Sequence, residues 1–109
     1  MEELAVGDIV LVQFPFSDLK GQKLRPTLVL AKAEFDNVIL CQITSKPYSS
    51  KIAIMLQEED FIQGELPITS YIRPDKLFTA EPSIIQKKAG TIRVKKKNAI
   101  LLAVREIFL

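Results

Sequence analysis

Apolar residues in this chain fall in short runs separated by polar loops, a pattern typical of strands in a small antiparallel β fold. The runs predict strands over 8–15, 25–32, 37–44, 52–56 and 69–78. Most of these strands are nearly continuous apolar runs without clean alternation, which predicts that they are covered on both faces. In so short a chain, a second subunit over the outer face is a natural way to provide that cover.

The C-terminal segment carries the clearest helical pattern. From about 94 to 108, apolar residues recur at spacings of three and four along one stripe, namely Ile100, Leu101, Val104, Ile107 and Phe108. Between the strands and this helix, residues 58–64 predict a turn or a brief helix, 82–87 a helical turn and 91–93 an extended segment. Short strands followed by a terminal helix favour a small, strongly bent antiparallel barrel.

Chain length and composition further limit the class of protein. The chain has 109 residues, with 15 basic and 13 acidic side chains, so we expect one domain spanning 1–109. No apolar run approaches the roughly 20 residues that span a bilayer, and the acidic start lacks the basic region of a signal peptide. We therefore expect a cytoplasmic protein with no membrane partner. Cys41 is alone inside an apolar run, which predicts a buried and unreactive thiol.

Histidine is absent from the chain, which removes the usual general base near neutral pH and the commonest metal ligand. With one cysteine, a zinc site would have to rely mostly on carboxylates, so we expect neither a metal nor a cofactor. Basic residues concentrate between 87 and 97 with no acid among them: Lys87, Lys88, Arg93, Lys95, Lys96 and Lys97. Such a run is a candidate nucleic-acid surface or a solvated face.

Arg25 is the first candidate functional residue. It precedes Pro26 at the entry to an apolar strand, and proline biases the residue before it toward an extended backbone. A guanidinium restrained in this way can meet a phosphate or a carboxylate with two parallel hydrogen bonds. The alternative is a surface arginine paired with Asp18 or Glu81.

Thr44 and Ser45 are the second candidate, because they end the third predicted strand and their hydroxyls can donate to a phosphate oxygen. Lys46 adds positive charge beside them. The alternative is that these hydroxyls cap a turn.

Three further groups could contact nucleic acid or take part in chemistry. The first loop could track phosphates through Lys20, Gln22 and Lys23, or it is simply solvated. Exposed aromatic rings could stack on bases, or pack in the core; they are Phe14, Phe16 and Tyr48. The stretch 72–81 offers Glu81 or Asp75 as a base, and its alternative is a salt-bridged edge strand. Pro74 marks either an edge or a bend of the strand predicted over 69–78.

The order of these motifs resembles the MazF/PemK family of toxin endoribonucleases from bacterial toxin–antitoxin systems. The resemblance covers almost the whole chain. It is carried by Gly7-Asp8-Ile9-Val10, Phe14-Pro15-Phe16 with Asp18, Arg25-Pro26, Ile43-Thr44-Ser45, the stretch from Tyr71 to Leu77, the Gly90 turn and the closing helix.

This resemblance implies a mainly β fold with a C-terminal helix, a small SH3-like barrel of the kind shared with CcdB toxins, acting as a homodimer. It also implies metal-independent, sequence-selective cutting of single-stranded RNA. The RNA's own 2′-hydroxyl attacks the neighbouring phosphorus and leaves a 2′,3′-cyclic phosphate and a 5′-hydroxyl. The implied partner is an antitoxin with an acidic, disordered segment. The family's catalytic arginine and threonine map onto Arg25 and Thr44.

One departure concerns the base. Some family members carry an Arg-Thr-x-Asp segment where this chain reads Phe78-Thr79-Ala80-Glu81, so Glu81 is the candidate base. The residues expected to bind RNA are Phe16, Ser17, Lys20, Gln22, Lys23, Ser45, Lys46, Tyr48 and Lys76.

Two other functions are compatible with such a fold. A non-catalytic CcdB-like toxin would bind a protein target such as DNA gyrase, but CcdB-type action relies on a C-terminal tryptophan and this chain has none. A plain SH3-like interaction module would present an aromatic-lined groove, for which 7% aromatic residues are few. The pair of Arg25 and Thr44 favours the nuclease.

Overall fold

One sheet of seven antiparallel strands and a C-terminal helix make up the computed structural model, which describes residues 3–14 and 23–109 except the side chains of Phe14 and Lys23. The elements are β1 (Asp8–Phe14), β2 (Lys23–Lys32), β3 (Val38–Thr44), β4 (Ile54–Leu56), β5 (Phe61–Gly64), β6 (Ser70–Ala80), β7 (Ile85–Ile92) and α1 (Val94–Ile107). Short 3₁₀ turns lie at Glu34–Asp36, Glu58–Asp60 and Pro82–Ile84. The strand order across the sheet is β4-β6-β3-β2-β1-β7-β5. No helix within the described ranges is long and apolar enough to cross a membrane.

The sheet curls into a half-barrel around its first core cluster. Leu56 of β4 and Phe61 of β5 belong to the two edge strands, yet both pack into this cluster. The edges therefore bend toward one another over the same core. Helix α1 closes the cluster with Ile100, which has no exposed surface, and with the partly buried Leu101 and Val104. The predicted mainly β barrel with a terminal helix is confirmed.

A second cluster buries the opposite face of the central strands. Val10, Val12 and Val29 have no solvent-accessible surface, and Leu4 from the N-terminal segment and Ile85 from β7 cover them. Strand burial on both faces is therefore confirmed. Within this chain the N-terminal segment and β7 cover these valines, so this cover does not need a second subunit.

The sequence analysis does not predict two of the strands, β5 and β7. Residues 58–64 contain a single 3₁₀ turn followed by β5, and 82–87 contain a single 3₁₀ turn followed by β7. The β7 sequence, Ile-Gln-Lys-Lys-Ala-Gly-Thr-Ile, has neither an apolar run nor alternation. Its ladder with β1 shifts register twice, between Ile9 and Val10 and between Leu11 and Val12. Each bulge breaks the period of two on which strand prediction depends.

The predicted bend at Pro74 is confirmed. Opposite β3, Cys41 pairs with Leu77 and Ile43 pairs with Ile72, so the intervening residues of β6 leave the ladder. Proline has no N–H to donate to a ladder and is confined to such places. The Cys41 thiol donates to the Arg73 carbonyl at 2.9 Å across this irregularity.

Candidate active site

A cleft of about 1090 Å³ opens where β2 begins and β3 ends. Five parts of the chain line it: β1, the start of β2, the end of β3 with its following loop, the segment that leads into β6, and β7. The described lining residues are Leu11, 24–26, 43–46, Tyr48, 65–68, Ser70 and 87–89. The cleft therefore collects side chains that lie far apart in the sequence.

Arg25 and Thr44 meet in this cleft because β2 and β3 form a hairpin. Thr27 lies opposite Gln42 and Leu28 lies opposite Cys41. Continuing this register by two residues places Arg25 opposite Thr44, and both side chains line the cleft. Cα atoms of opposed residues in antiparallel strands lie about 4.5–5.5 Å apart. The two side chains can thus contact one phosphate group.

The Arg25 guanidinium is exposed and makes no ion pair with any of the described residues. The alternative partner Glu81 does not reach it, and Asp18 lies outside the described residues. Below the arginine, Thr27 is fully buried and its hydroxyl donates to the Val10 carbonyl at 3.3 Å. The strand that carries Arg25 is thus fixed while its charged group remains open to the cleft.

Thr44 orders the loop that follows it. Its hydroxyl oxygen accepts a hydrogen bond from the Lys46 amide at 3.0 Å, and the Lys46 carbonyl lies 3.4 Å from the same oxygen. The turn-capping alternative is therefore correct as a description of this hydroxyl. Since the contact to the carbonyl is long for an O–H donor, the hydroxyl proton can turn toward a ligand while the oxygen stays fixed.

Tyr48 is held in a strained conformation beside the cleft. Its φ of +52° is in the left-handed region, which is unusual for a bulky residue. The Ser50 amide donates to the Pro47 carbonyl at 3.0 Å and closes the turn around it. Tyr48 as a residue is 84% exposed, so the turn displays this aromatic residue instead of burying it.

Glu81, the candidate base from the sequence, is not brought to the cleft within this chain. Strand β6 runs antiparallel to β3, with Tyr71 opposite Thr44 and Ala80 opposite Val38. The six intervening steps of β3 span about 20 Å at roughly 3.3 Å per residue. Glu81 therefore lies at the far end of the sheet from the cleft.

The other predicted residues divide into three groups. Ser45, Lys46 and Tyr48 line the cleft. Lys76 and Asp75 lie in the irregular part of β6, outside the cleft lining, and Asp75 lies 3.5 Å from the Arg73 Nε. Phe16, Ser17, Lys20 and Gln22 lie outside the described residues, as do the side chains of Phe14 and Lys23.

Sequence reasoning did not assign three charged residues to the cleft, although it named two of them in the basic run that is a candidate nucleic-acid surface. Glu65 stands on the wall made by 65–68, and Lys87 and Lys88 stand on β7. Both lysines belong to the basic run seen in the sequence, and the structure separates that run: Lys95, Lys96 and Lys97 lie on α1. Lys87 and Lys88 reach the cleft because β7 pairs with β1. The hydrophobic periodicity of the sequence does not reveal such a non-local pairing.

The cleft has a positive charge balance among the described residues. Arg25, Lys46, Lys87 and Lys88 are basic and Glu65 is acidic. A cleft lined by one sign of charge attracts ligands of the opposite sign, and a guanidinium and hydroxyls suit phosphate oxygens. The arrangement fits an extended polyanion.

Cys41 takes no part in this site. The thiol is buried, and burial together with the nearby Asp75 charge raises its pKa to about 12. The predicted buried position is confirmed. Among residues 3–14 and 23–109, no three carboxylate, thiol or imidazole groups come together as a potential metal site.

Known structures share this architecture. An endoribonuclease in complex with its cognate antitoxin from a mycobacterial species is 14% identical, with 99% of this chain and 95% of that chain covered and a TM-score of 0.75. MazF in a MazE–MazF crystal structure from Deinococcus radiodurans is 15% identical, with 98% and 97% covered and a TM-score of 0.76. The Mycobacterium tuberculosis toxin MazF-mt6 is 18% identical, with 93% and 95% covered and a TM-score of 0.71. At these identities the likeness establishes the fold.

The assignment of the chain to a family rests on its sequence. No curated protein sequence is detectably similar to the chain. A family model described as "PemK-like, MazF-like toxin of type II toxin-antitoxin system" matches residues 5–108, which include every described part of the cleft. The match confirms the resemblance that the motif order predicts. The chain therefore belongs to the PemK-like, MazF-like toxins of type II toxin–antitoxin systems.

Proposed function

We propose that the protein is a metal-independent endoribonuclease toxin that cuts single-stranded RNA at selected sequences. The observation that carries this proposal is that Arg25 and Thr44 line the same cleft, which has an excess of positive charge among the described residues. The family is named for toxins, and three of its similar structures are endoribonucleases or MazF proteins by name. A protein-binding toxin that only docks on an enzyme has no need of this pair.

In the proposed reaction, the 2′-oxygen of the RNA attacks the adjacent phosphorus and the bond from phosphorus to the 5′-oxygen breaks. The products are a 2′,3′-cyclic phosphate and a 5′-hydroxyl. Because the RNA supplies its own nucleophile, no metal-activated water is needed, and holding the 2′-oxygen in line provides much of the acceleration. The protein has to stabilise the negative charge that grows on the phosphorane oxygens.

Arg25 and Thr44 divide that task. The Arg25 guanidinium stays protonated in proteins, so it stabilises charge and does not act as the base. The Thr44 hydroxyl donates to a second phosphorane oxygen from a position fixed by the Lys46 amide. Removing one such donor typically lowers a rate about 10²–10³-fold.

Glu65 is the proposed base, in place of Glu81. It is the carboxylate among the described residues of the cleft. It would accept the proton of the attacking 2′-hydroxyl, and water would return a proton to the leaving 5′-oxygen. The proton balance then closes without histidine.

RNA binding extends from this centre along the loop after β3. Ser45 and Lys46 would contact phosphates, and the exposed Tyr48 ring would stack on a base. Leu24, which lines the cleft, directly follows the segment 16–23 in the sequence, and Ser17, Lys20 and Gln22 of that segment are proposed to bind the same strand. Base preference would depend on these loops.

The proposed protein partner is an antitoxin. One similar structure was captured with its cognate antitoxin and another with MazE. A disordered acidic segment that folds along the basic cleft would cover Arg25 and compete with RNA. The active form is proposed to be a homodimer in the cytoplasm.

Cleavage of a long single-stranded RNA by the purified protein in EDTA tests the proposal. We expect discrete fragments whose 5′ ends carry hydroxyls and share a sequence, and we expect Arg25→Ala to abolish them. Arg25→Lys keeps the charge but loses the two-pronged contact, so it should retain little activity. Intact RNA, cleavage that requires a divalent metal, or cleavage that survives Arg25→Ala would reject the mechanism. Gyrase binding without RNA cleavage would favour the CcdB-like alternative.

A further inference from the structure

Strand β7 is irregular at the point where it lines the cleft. In its ladder with β1, Gly90 lies opposite Ile9 but Lys88 lies opposite Val10, which leaves Ala89 as an extra residue. Further along the same ladder, Lys87 lies opposite Leu11 and Ile85 lies opposite Val12, which leaves a second extra residue in β7. Bulges redirect side chains and are frequent next to active sites. The two bulges bracket Lys87 and Lys88.

A buried carboxylate fixes this part of β7. Asp8 is only 2% exposed. Its Oδ1 accepts a hydrogen bond from the Thr91 hydroxyl at 2.9 Å and lies 3.4 Å from the Lys88 Nζ, and its Oδ2 accepts from the Ala5 amide at 2.8 Å. A buried charge is retained when it is paired and hydrogen-bonded. Asp8 therefore ties Lys88 and Thr91, on either side of the first bulge, to β1.

Lys87 differs from its neighbour. It is exposed and makes no ion pair with the residues that the structure describes, whereas the charge of Lys88 is balanced by Asp8. Lys87 and Pro26 flank Leu11 on opposite sides, so two strand spacings, about 10 Å, separate their backbones. Lys87 also stands on the ridge between the cleft and a second hollow of about 480 Å³.

We propose that Lys87 binds an RNA phosphate neighbouring the one at Arg25, and that Asp8 is a positioning residue that holds the bulged strand through Lys88. The proposal rests on the proposed function and deepens it, since it gives the RNA a course from the end of β2 across β1 to β7. Asp8 is the first residue of β1. The positioning role accounts for a buried carboxylate at this place.

Salt dependence of binding measures the Lys87 contact. The probe is a labelled single-stranded RNA with 2′-O-methyl groups, which cannot be cleaved by 2′-oxygen attack. Each phosphate contact to a single strand contributes about 0.7 to the slope of log K against log salt. We expect Lys87→Ala to lower that slope by about 0.7, so that between 0.1 M and 1 M salt it loses about fivefold less affinity than wild type.

Lys95→Ala is the matched control, because it removes the same charge from the exposed face of α1 away from the cleft lining. We expect it to leave the slope near the wild-type value. Equal slopes for the two variants would overturn the Lys87 assignment even if wild type cleaves RNA. Absence of cleavage by wild type would instead reject the proposed function, so the two failures are distinguishable.

Asp8→Asn tests the positioning role. It should lower affinity in the wild-type background and have little further effect in the Lys87→Ala background, because Asp8 acts through the placement of Lys87. Additive losses would overturn this part of the proposal. If Asp8→Asn does not fold, Thr91→Val removes a milder contact to the same carboxylate and is tested in the same two backgrounds.

Discussion

Tyr48 occupies a backbone conformation that costs the folded state free energy. The left-handed region costs a residue with a Cβ roughly 1–2 kcal/mol, and asparagine is among the few residues that enter it readily. Because the residue is 84% exposed, removal of its ring sacrifices little packing. We expect Tyr48→Asn to raise the free energy of unfolding by about 1 kcal/mol, which corresponds to a rise in Tm of about 4–8 °C in a small domain.

The same substitution should weaken RNA binding. Stacking of a base on an aromatic side chain is worth about 1–3 kcal/mol, so the affinity should fall about 5- to 150-fold. Tyr48→Phe keeps both the strain and the stacking surface, and we expect it to match wild type in both measurements. Thermal unfolding gives the stability, and fluorescence anisotropy with the 2′-O-methyl RNA gives the affinity.

Phe35 provides a matched control elsewhere in the molecule. Its φ is +60° and the residue is 88% exposed, but it lies in the turn between β2 and β3 and does not line the cleft. Phe35→Asn should therefore be stabilising and leave RNA binding unchanged. A Tyr48→Asn protein no more stable than wild type would refute the strain argument. A stabilised Tyr48→Asn protein that binds RNA as well as Phe35→Asn would refute the stacking role.

Three further outcomes follow from the geometry. Glu65→Gln should lower the cleavage rate by about 10²-fold or more, as expected for loss of a general base, while Glu81→Gln should leave it unchanged; the reverse order would restore the sequence-based choice. Cys41 should resist a thiol reagent at pH 8 in the native protein and react after denaturation, because a pKa of about 12 leaves a thiolate fraction of about 10⁻⁴; rapid native labelling would contradict its burial. Gly64→Ala should destabilise the protein, since the backbone φ is +76° and an added Cβ would lie 2.1 Å from a carbonyl oxygen of β7. Gln63→Ala, an exposed change on the same strand, should have little effect on Tm, and similar Tm values for the two variants would contradict the predicted clash.

The pairing of Arg25 with Thr44 was accessible from the sequence because it depends on one local hairpin. The two residues lie at nearly equal distances from the turn at Glu34–Asp36, and adjacent strands joined by a short turn pair antiparallel. Recognising two strands and the turn between them is therefore enough to bring the residues together. The family resemblance then assigns a role to each of them.

Glu81 lies away from the cleft for the same kind of geometric reason. Glu81 follows the predicted strand 69–78, and its carboxylate can act as a base. Sequence order alone therefore makes it a candidate base. The antiparallel direction of β6 against β3, however, carries the start of β6 toward Thr44 and its end away from it. The carboxylate that reaches the cleft, Glu65, precedes that strand. Strand direction, not residue type, decides which acid reaches the cleft.

The residues that sequence reasoning did not assign to the cleft lie where the chain departs from local rules. Lys87 and Lys88 stand between two bulges, and these bulges are also why β7 has no recognisable strand pattern. Tyr48, which the sequence analysis does name, shows the same conflict, since a tyrosine is a poor choice for a left-handed turn position. Such departures tend to collect at functional sites. The irregularity at Pro74 lies away from the cleft, so a departure is informative only when it redirects a side chain toward the same cavity as the other candidates.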